Sequence, residues 1–120
     1  MVEDDLLVAS VVKSALEGLG HRVTLCRTAD DAMPVLAGEQ PFDVLFTDVV
    51  MPGTMTGIDL VEWCGVHRPG LPCVIASGYT AQQLSRPVQV LHKPYAIGEL
   101  ASALEQAVGM DAGRSRTSTA

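Results

Sequence analysis

Six residues of this 120-residue chain carry groups that could do chemistry together. They are Glu3, Asp4, Asp5, Asp48, Ser77 and Lys93. Each follows an apolar segment of the kind that forms a strand. Several carboxylates that converge without a cation would repel one another. A hard divalent ion with oxygen ligands removes that repulsion, and Mg²⁺ is the common choice in phosphate chemistry. The set therefore indicates a cation-dependent phosphate site.

The elements that must bring these residues together can be read from apolar spacing. Helical periodicity covers residues 8–19, 29–37, 58–67 and 97–108, and a short helix is predicted at 80–85. Strand-like segments are predicted at 1–2, 21–26, 44–46, 73–76 and 88–91. This alternation predicts an α/β fold with a doubly wound parallel sheet. In such sheets, functional groups collect at the carboxyl ends of the strands.

Each candidate residue, taken singly, also has an ordinary structural explanation. Asp5 is predicted to cap the helix that opens at Leu6. A lone serine before a glycine, such as Ser77, is usually a turn residue. A lone lysine such as Lys93 is usually solvated. It is the convergence of the set at one sheet edge that favours chemistry.

Composition and charge narrow the class of protein. The formal net charge is −6, with 14 acidic and 8 basic residues, which argues against a nucleic-acid surface. No apolar run is long enough to cross a membrane and no signal segment opens the sequence, so we expect a cytosolic protein. The three cysteines, Cys26, Cys64 and Cys73, are expected to be buried free thiols, because their spacing matches no metal site.

The two ends of the chain differ from its middle. Residues 1–108 are predicted to form one domain, and residues 109–120 a disordered tail, since the tail has little apolar content. Only Met1 and Val2 precede the acidic cluster, so the first strand is expected to be truncated relative to the usual span of about five residues. We expect low stability, or pairing of the exposed backbone with another chain or a rearranged segment.

Five short motifs stand in order at the predicted strand ends. They are Val2-Glu3-Asp4-Asp5, the turn from Thr47 to Gly53, Gly57, Ser77-Gly78-Tyr79 and Lys93-Pro94-Tyr95. Together they resemble the receiver domains of bacterial two-component response regulators, over Val2 to about Val108. The resemblance implies a flavodoxin-like (βα)5 fold with strand order 2-1-3-4-5. It also implies a cis peptide bond between Lys93 and Pro94.

The resemblance assigns a role to each matching residue. Asp48 would be the phosphoacceptor, with Asp4 a direct ligand of Mg²⁺ and Glu3 acting through a bound water. The Val50 backbone carbonyl would complete the protein ligands of the metal. Ser77 would hydrogen-bond the phosphoryl group and Lys93 would pair with it.

The residue that normally couples the switch differs in this sequence. Members of the family usually carry an aromatic residue three positions before the lysine, where this chain has Val90. Tyr79, two positions after Ser77, is the candidate substitute, although a surface ring on a loop is the plain alternative.

Three classes of function are compatible with these residues. The preferred one is a phosphoacceptor switch, not an enzyme, that assists its own phosphotransfer and dephosphorylation. Its donor would be a sensor histidine kinase or a histidine phosphotransfer protein. Its output would use the face made by the fourth helix, fifth strand and fifth helix. It would be a stand-alone regulator or the receiver of a hybrid sensor kinase.

The second class is a receiver-like interaction module that is never phosphorylated. The third is an aspartate-nucleophile phosphatase. That class requires a second carboxylate two residues after the nucleophile, and this position holds Val50. The sequence therefore argues against it.

Overall fold

The structure is a computed structural model that describes residues 1–49, 53–77, 88–108 and 117–119. Val50 and Tyr79, for which roles are predicted, lie outside the described residues, as does the short helix predicted at 80–85. In the parts of the chain described, every helix is too short or too polar to cross a lipid bilayer.

Four helices are described, and three of them have caps that the sequence supplies. They are α1 (Leu6–Gly18), α2 (Ala29–Ala37), α3 (Gly57–His67) and α4 (Ile97–Val108). The Asp5 side chain accepts from the backbone N–H groups of the first turn of α1, so its predicted capping role is confirmed. Thr28 caps α2, and Thr56 forms a reciprocal capping box with Asp59 at the start of α3.

Five strands are described, and all of their pairings are parallel. They are β1 (His21–Val23), β2 (Leu45–Asp48), β3 (Cys73–Ser77), β4 (Gln89–His92) and β5 (Thr117–Thr119). The strands β2, β3 and β4 are neighbours in that order. Val2 forms bridges to both Cys26 and Thr47, so the N-terminal segment lies between the β1 side and β2. In the predicted order 2-1-3-4-5, strand 1 is the N-terminal segment, and strands 2 to 5 correspond to β1, β2, β3 and β4. The structure confirms this order, because the N-terminal segment lies between the β1 side and β2.

The prediction of a disordered tail is wrong for Thr117–Thr119. These residues form β5, which pairs with β1 from His21 to Val23. Thr119 also bridges Val44 on the other side and is fully buried. The prediction assumed that a segment without large apolar residues could not be held. The edges of β1 and β2 instead present backbone groups that an extended segment can pair with, and threonine suits a strand.

The two faces of the sheet carry two separate apolar clusters. The helices α2 and α3 cover one face through Leu36, Leu60 and Val61, which pack with Leu45 and Ile75. The helices α1 and α4 cover the other face, where their buried side chains meet the alternate residues of β2 and β3. Burial on both faces explains why β2 and β3 are continuous apolar runs. The three cysteines are not joined in disulfides; Cys64 and Cys73 are buried as predicted, whereas Cys26 is only half-buried.

Gly57 fixes how closely α3 approaches the end of β2. Its backbone N–H donates to the Val49 carbonyl at 2.9 Å. A Cβ at this position would lie 1.9 Å from the Asp48 carbonyl oxygen, far inside van der Waals contact. The absence of a side chain at Gly57 is therefore needed for α3 to start where it does.

We predict that Gly57→Ala destabilises the protein although alanine favours helices. The clash with Asp48 should lower the free energy of unfolding by about 2 kcal/mol or more. Gly98→Ala is the matched control, because Gly98 also lies in a first helical turn and a Cβ there meets nothing within 4 Å. That variant should be neutral or gain up to about 1 kcal/mol. Denaturant unfolding measures both, and equal stabilities would contradict the close approach.

Candidate functional site

The acidic residues reach one point because two strands run side by side. The Val2 N–H donates to the Phe46 carbonyl at 2.8 Å, and the Asp48 N–H donates to the Val2 carbonyl at 3.1 Å. This pairing sets Glu3 and Asp4 beside Asp48 at the carboxyl edge of the sheet. It is the arrangement that the doubly wound fold predicts for chemistry-bearing residues.

Carboxylate oxygens of Glu3, Asp4 and Asp48 all lie within 4.8 Å of one another. Glu3 and Asp48 are buried, and Asp4 is half-buried. Backbone donors relieve part of the negative charge. The Val49 N–H donates to Asp48 Oδ1 at 2.9 Å, and the Asp5 N–H donates to Glu3 Oε2 at 3.2 Å. Hard oxygen donors at this separation suit Mg²⁺.

Lys93 supplies a cation to the cluster. Its Nζ lies 2.6 Å from Asp48 Oδ2. The lysine side chain is 37% exposed, so water screens the pair and its contribution to stability is modest. The Lys93 backbone N–H donates to the Ser77 carbonyl at 2.9 Å, which ties the residue to the end of β3. The Lys93–Pro94 peptide bond is cis, as predicted.

The electrostatics of the cluster favour an additional positive charge. Burial raises the pKa of the Glu3 carboxyl, and the nearby Asp48 adds to this effect. The Asp5 N–H and Lys93 oppose it in part. Burial, with Glu3 and Asp48 nearby, also raises the pKa of Tyr95 to about 12. Three carboxylates face the single ammonium of Lys93 in this cluster, so negative charge is in excess there.

Ser77 lies at the same edge of the sheet as the acidic cluster. It is the last residue of β3 and is buried. Its neighbour in β3, Ala76, is in register with Asp48 of β2. The structure thus brings Glu3, Asp4, Asp48 and Lys93 into one cluster and sets Ser77 on the strand next to Asp48.

An open cleft of about 830 Å³ joins the charged cluster to an apolar surface. One end is lined by the acidic residues and Lys93, and the other by the exposed side of α1. Leu7 is 75% exposed and Val11 is 57% exposed. Helical periodicity identifies apolar positions, but it does not show that this helix has more of them than the sheet covers.

Asp30 contacts the segment that follows β2, and sequence analysis missed it. Its carboxylate accepts from the Thr54 N–H at 2.9 Å and from the Thr54 hydroxyl. These hydrogen bonds, the hydroxyl first, lower the pKa of Asp30. Gly53 has a φ of +106°, and a Cβ there would lie 2.2 Å from Asp30 Oδ2. No local signal distinguishes Asp30 from Asp31, since both read as acids in the first turn of α2.

Comparisons with known proteins agree with this fold and site. The family model described as the response regulator receiver domain matches residues 1–105. The chain therefore belongs to the receiver domain family of two-component response regulators. That family makes it a signalling phosphoacceptor domain and not a classical enzyme.

Particular relatives show how much of other proteins the chain spans. It is 32% identical to the response regulator receiver protein CpdR of Brucella abortus, covering 88% of this chain and 92% of that protein. It is 29% identical to the DNA-binding transcriptional regulator NtrC of Salmonella typhimurium, covering 90% of this chain but only 24% of NtrC.

Solved structures give the same result. The receiver domain of the hybrid histidine kinase CckA is 29% identical, with a TM-score of 0.77 and coverage of 89% of this chain and 94% of that one. A CheY-like receiver domain protein from Methanospirillum hungatei matches with a TM-score of 0.79 at 21% identity, covering 93% of each chain. The latter likeness supports the fold alone.

Proposed function

We propose that Asp48 accepts a phosphoryl group in a Mg²⁺-dependent reaction and that the change at Asp48 regulates a partner. The observation that carries this proposal is the 2.6 Å contact between Lys93 Nζ and Asp48 Oδ2 inside a cluster of three carboxylates. Lys93, together with a cation that the acids would bind, can offset the negative oxygens of an incoming phosphoryl group.

The proposed reaction is a phosphoryl transfer from a histidine. A carboxylate oxygen of Asp48 forms a bond to phosphorus, and the bond from phosphorus to the donor's imidazole nitrogen breaks. The electron pair of that bond stays on the nitrogen. Lys93 offsets charge on the phosphoryl oxygens, and the Ser77 hydroxyl donates to one of them. Most of the catalysis is positioning and electrostatic stabilisation.

The chain's own residues fit the metal that this family implies. Asp4 and Asp48 would bind Mg²⁺ directly, Glu3 would act through a bound water, and the Val50 backbone carbonyl would complete the protein ligands. When bound, the ion would supply positive charge against the phosphoryl oxygens. The convergence of three carboxylates within 4.8 Å of one another supports this fit, since Mg²⁺ prefers hard oxygen ligands.

A histidine kinase or histidine phosphotransfer protein is the proposed donor. Its imidazole must reach Asp48, so the donor has to cover the surface around the cleft. That surface is the exposed apolar side of α1, which is continuous with the acidic cluster. We therefore propose that the donor protein docks on Leu7, Val8 and Val11, since burying these side chains favours association.

The proposed output surface is the face that the sequence analysis named, of which β4 and α4 are described. A depression of about 530 Å³ lies between these two elements, next to Val90, Ser102 and Gln106. Ser77, with Tyr79 as the proposed aromatic partner, would link phosphorylation to this face.

The alternative proposal is an interaction module that is never phosphorylated. A labelling experiment distinguishes this module from the phosphoacceptor switch.

Asp48→Asn should abolish labelling by acetyl phosphate in Mg²⁺, because an amide oxygen is a poor nucleophile. Intact-mass spectrometry measures the phosphorylated fraction. Asp31→Asn is the control, since Asp31 is an exposed acid outside the cluster of Glu3, Asp4 and Asp48. It should label like the parent. If the Asp48 variant labels as well as the parent, Asp48 is not the phosphoacceptor. If the parent itself does not label, the interaction module is favoured.

Asp4→Ala and Asp5→Ala should separate the metal ligand from the helix cap. The Asp4 variant should bind Mg²⁺ about tenfold or more weakly, because it removes a direct ligand. The Asp5 variant should keep its Mg²⁺ affinity but lose about 1 kcal/mol of stability, since Asp5 caps α1. Calorimetric titration and denaturant unfolding measure the two effects. The reverse order of affinities would show that the acidic residues are misassigned.

Leu7→Gln should slow phosphotransfer from a protein donor about tenfold, because it removes apolar surface from the proposed interface. Labelling by acetyl phosphate should not change. Val66→Gln is the matched control, since Val66 of α3 is also 75% exposed but does not line the cleft. The donor can be any histidine phosphotransfer protein that labels the parent. If both variants slow transfer equally, α1 is not the docking surface.

A further inference from the structure

The strand β5 and the N-terminal segment lie on one line in the sheet. On one side of this line, Thr119 is in register with Val23 and Val2 with Cys26, three residues further on. On the other side, Thr119 bridges Val44 and Val2 bridges Thr47, again three residues further on. Both neighbours therefore give the same spacing. Along this line, one residue position lies between Thr119 and Met1, and the two segments keep the same register against both neighbouring strands.

Backbone hydrogen bonds at Thr24 confirm this alignment. The Thr24 N–H donates to the Thr119 carbonyl at 3.0 Å. The Thr24 carbonyl accepts from the Met1 ammonium at 2.8 Å. The next contact along the line is the Cys26 N–H, which donates to the Met1 carbonyl at 2.9 Å. Residues from both termini thus provide hydrogen-bond partners for the backbone N–H and C=O groups between His21 and Cys26.

We propose that the gap between β1 and the start of β2 is a binding site for an extended peptide segment. We call it the strand slot and define it by the backbone of His21–Thr24 on one side and Val44 on the other. The ligand that the structure assigns to it is the chain's own Thr117–Thr119. The binding mode is strand addition, in which main-chain hydrogen bonds supply the affinity.

The slot selects for side-chain size at one position. Thr119 is fully buried, so a larger or charged side chain there would not fit. The Thr119 hydroxyl has no hydrogen-bond partner among the described residues. A buried hydroxyl without a partner is unfavourable. The slot therefore accepts a small β-branched residue and should prefer valine, which has the same shape without the hydroxyl.

The length of chain before Thr117 favours the chain's own segment over that of a second copy. Eight residues, 109–116, connect α4 to β5. Eight residues can span up to about 28 Å, which is comparable with the 36 × 29 × 24 Å extents of the molecule. A tether of this length gives an effective local concentration on the order of millimolar. A separate copy at ordinary protein concentrations competes poorly with that.

Amide hydrogen exchange at Thr24 and Cys26 tests the proposal in the full chain. The Thr24 amide should be protected in the parent, because it donates to Thr119. Thr119→Asp should speed exchange at Thr24 by at least about tenfold and leave Cys26, which donates to Met1, close to its parent rate. Fast exchange at Thr24 in the parent would overturn the proposal. An equal rise at both amides would also overturn it, because the loss would not be local to the slot.

Thr119→Val gives an independent readout that does not require a damaged protein. It should keep Thr24 protected and raise the melting temperature by about 4 °C, because it removes the unpaired hydroxyl. A fall in melting temperature with loss of protection at Thr24 would show that Thr119 does not occupy the slot.

Truncation and sedimentation identify the ligand. A chain ending at Arg116 should lose protection at Thr24 and regain it when a peptide of residues 115–120 is added, but not with a scrambled peptide. If the truncated chain does not fold, the full-chain variants decide. Sedimentation of the parent should show a monomer across concentrations. A dimer that Thr119→Asp dissociates would overturn the intramolecular assignment in favour of the same strand from a second copy.

Discussion

The repulsion among three close carboxylates is the constraint on which the arrangement of this protein depends. Glu3, Asp4 and Asp48 hold oxygens within 4.8 Å of one another, and two of the three residues are buried. Such a cluster costs free energy in an apo protein, since like charges at this distance disfavour one another's ionisation. Burial, with a smaller contribution from Asp48, raises the pKa of Glu3, so desolvation and repulsion both act on this carboxyl. The fold tolerates it because backbone N–H groups and Lys93 each neutralise part of the charge.

The backbone hydrogen bonds of the sheet hold the acidic residues close together despite their repulsion. The acidic residues extend from a segment in which Val2 alone forms bridges to both neighbouring strands. Few backbone pairs therefore hold Glu3 and Asp4 against their mutual repulsion. The pairing of β5 along the same line adds order to β1 and to the start of β2, which flank the acidic segment. The C-terminal strand and the acidic cluster thus depend on the same part of the sheet.

Sequence patterns predicted the features that local chemistry determines. The bounds of α2 and the cap at Asp5 followed from periodicity and capping residues, and the sheet order followed from the resemblance to receiver domains. The role of β5 could not be predicted, because its stability comes from backbone groups of distant strands and not from its own apolar content. Asp30 was missed for a related reason. Its contact with Thr54 spans 24 positions in the sequence, and nothing local marks it.

The hydrogen bonds around Asp48 would restrict where a response to the proposed phosphorylation can begin. Asp48 Oδ1 is held by the Val49 N–H and Oδ2 by Lys93, so an added group on Oδ2 must displace the lysine ammonium. The Lys93 backbone cannot follow easily, since its N–H is bonded to the Ser77 carbonyl. On the α3 side, Gly57 packs against the Asp48 carbonyl and Asp30 holds Thr54. Both contacts resist movement of the backbone after β2. We therefore expect the response to start with displacement of the Lys93 ammonium from Asp48 Oδ2.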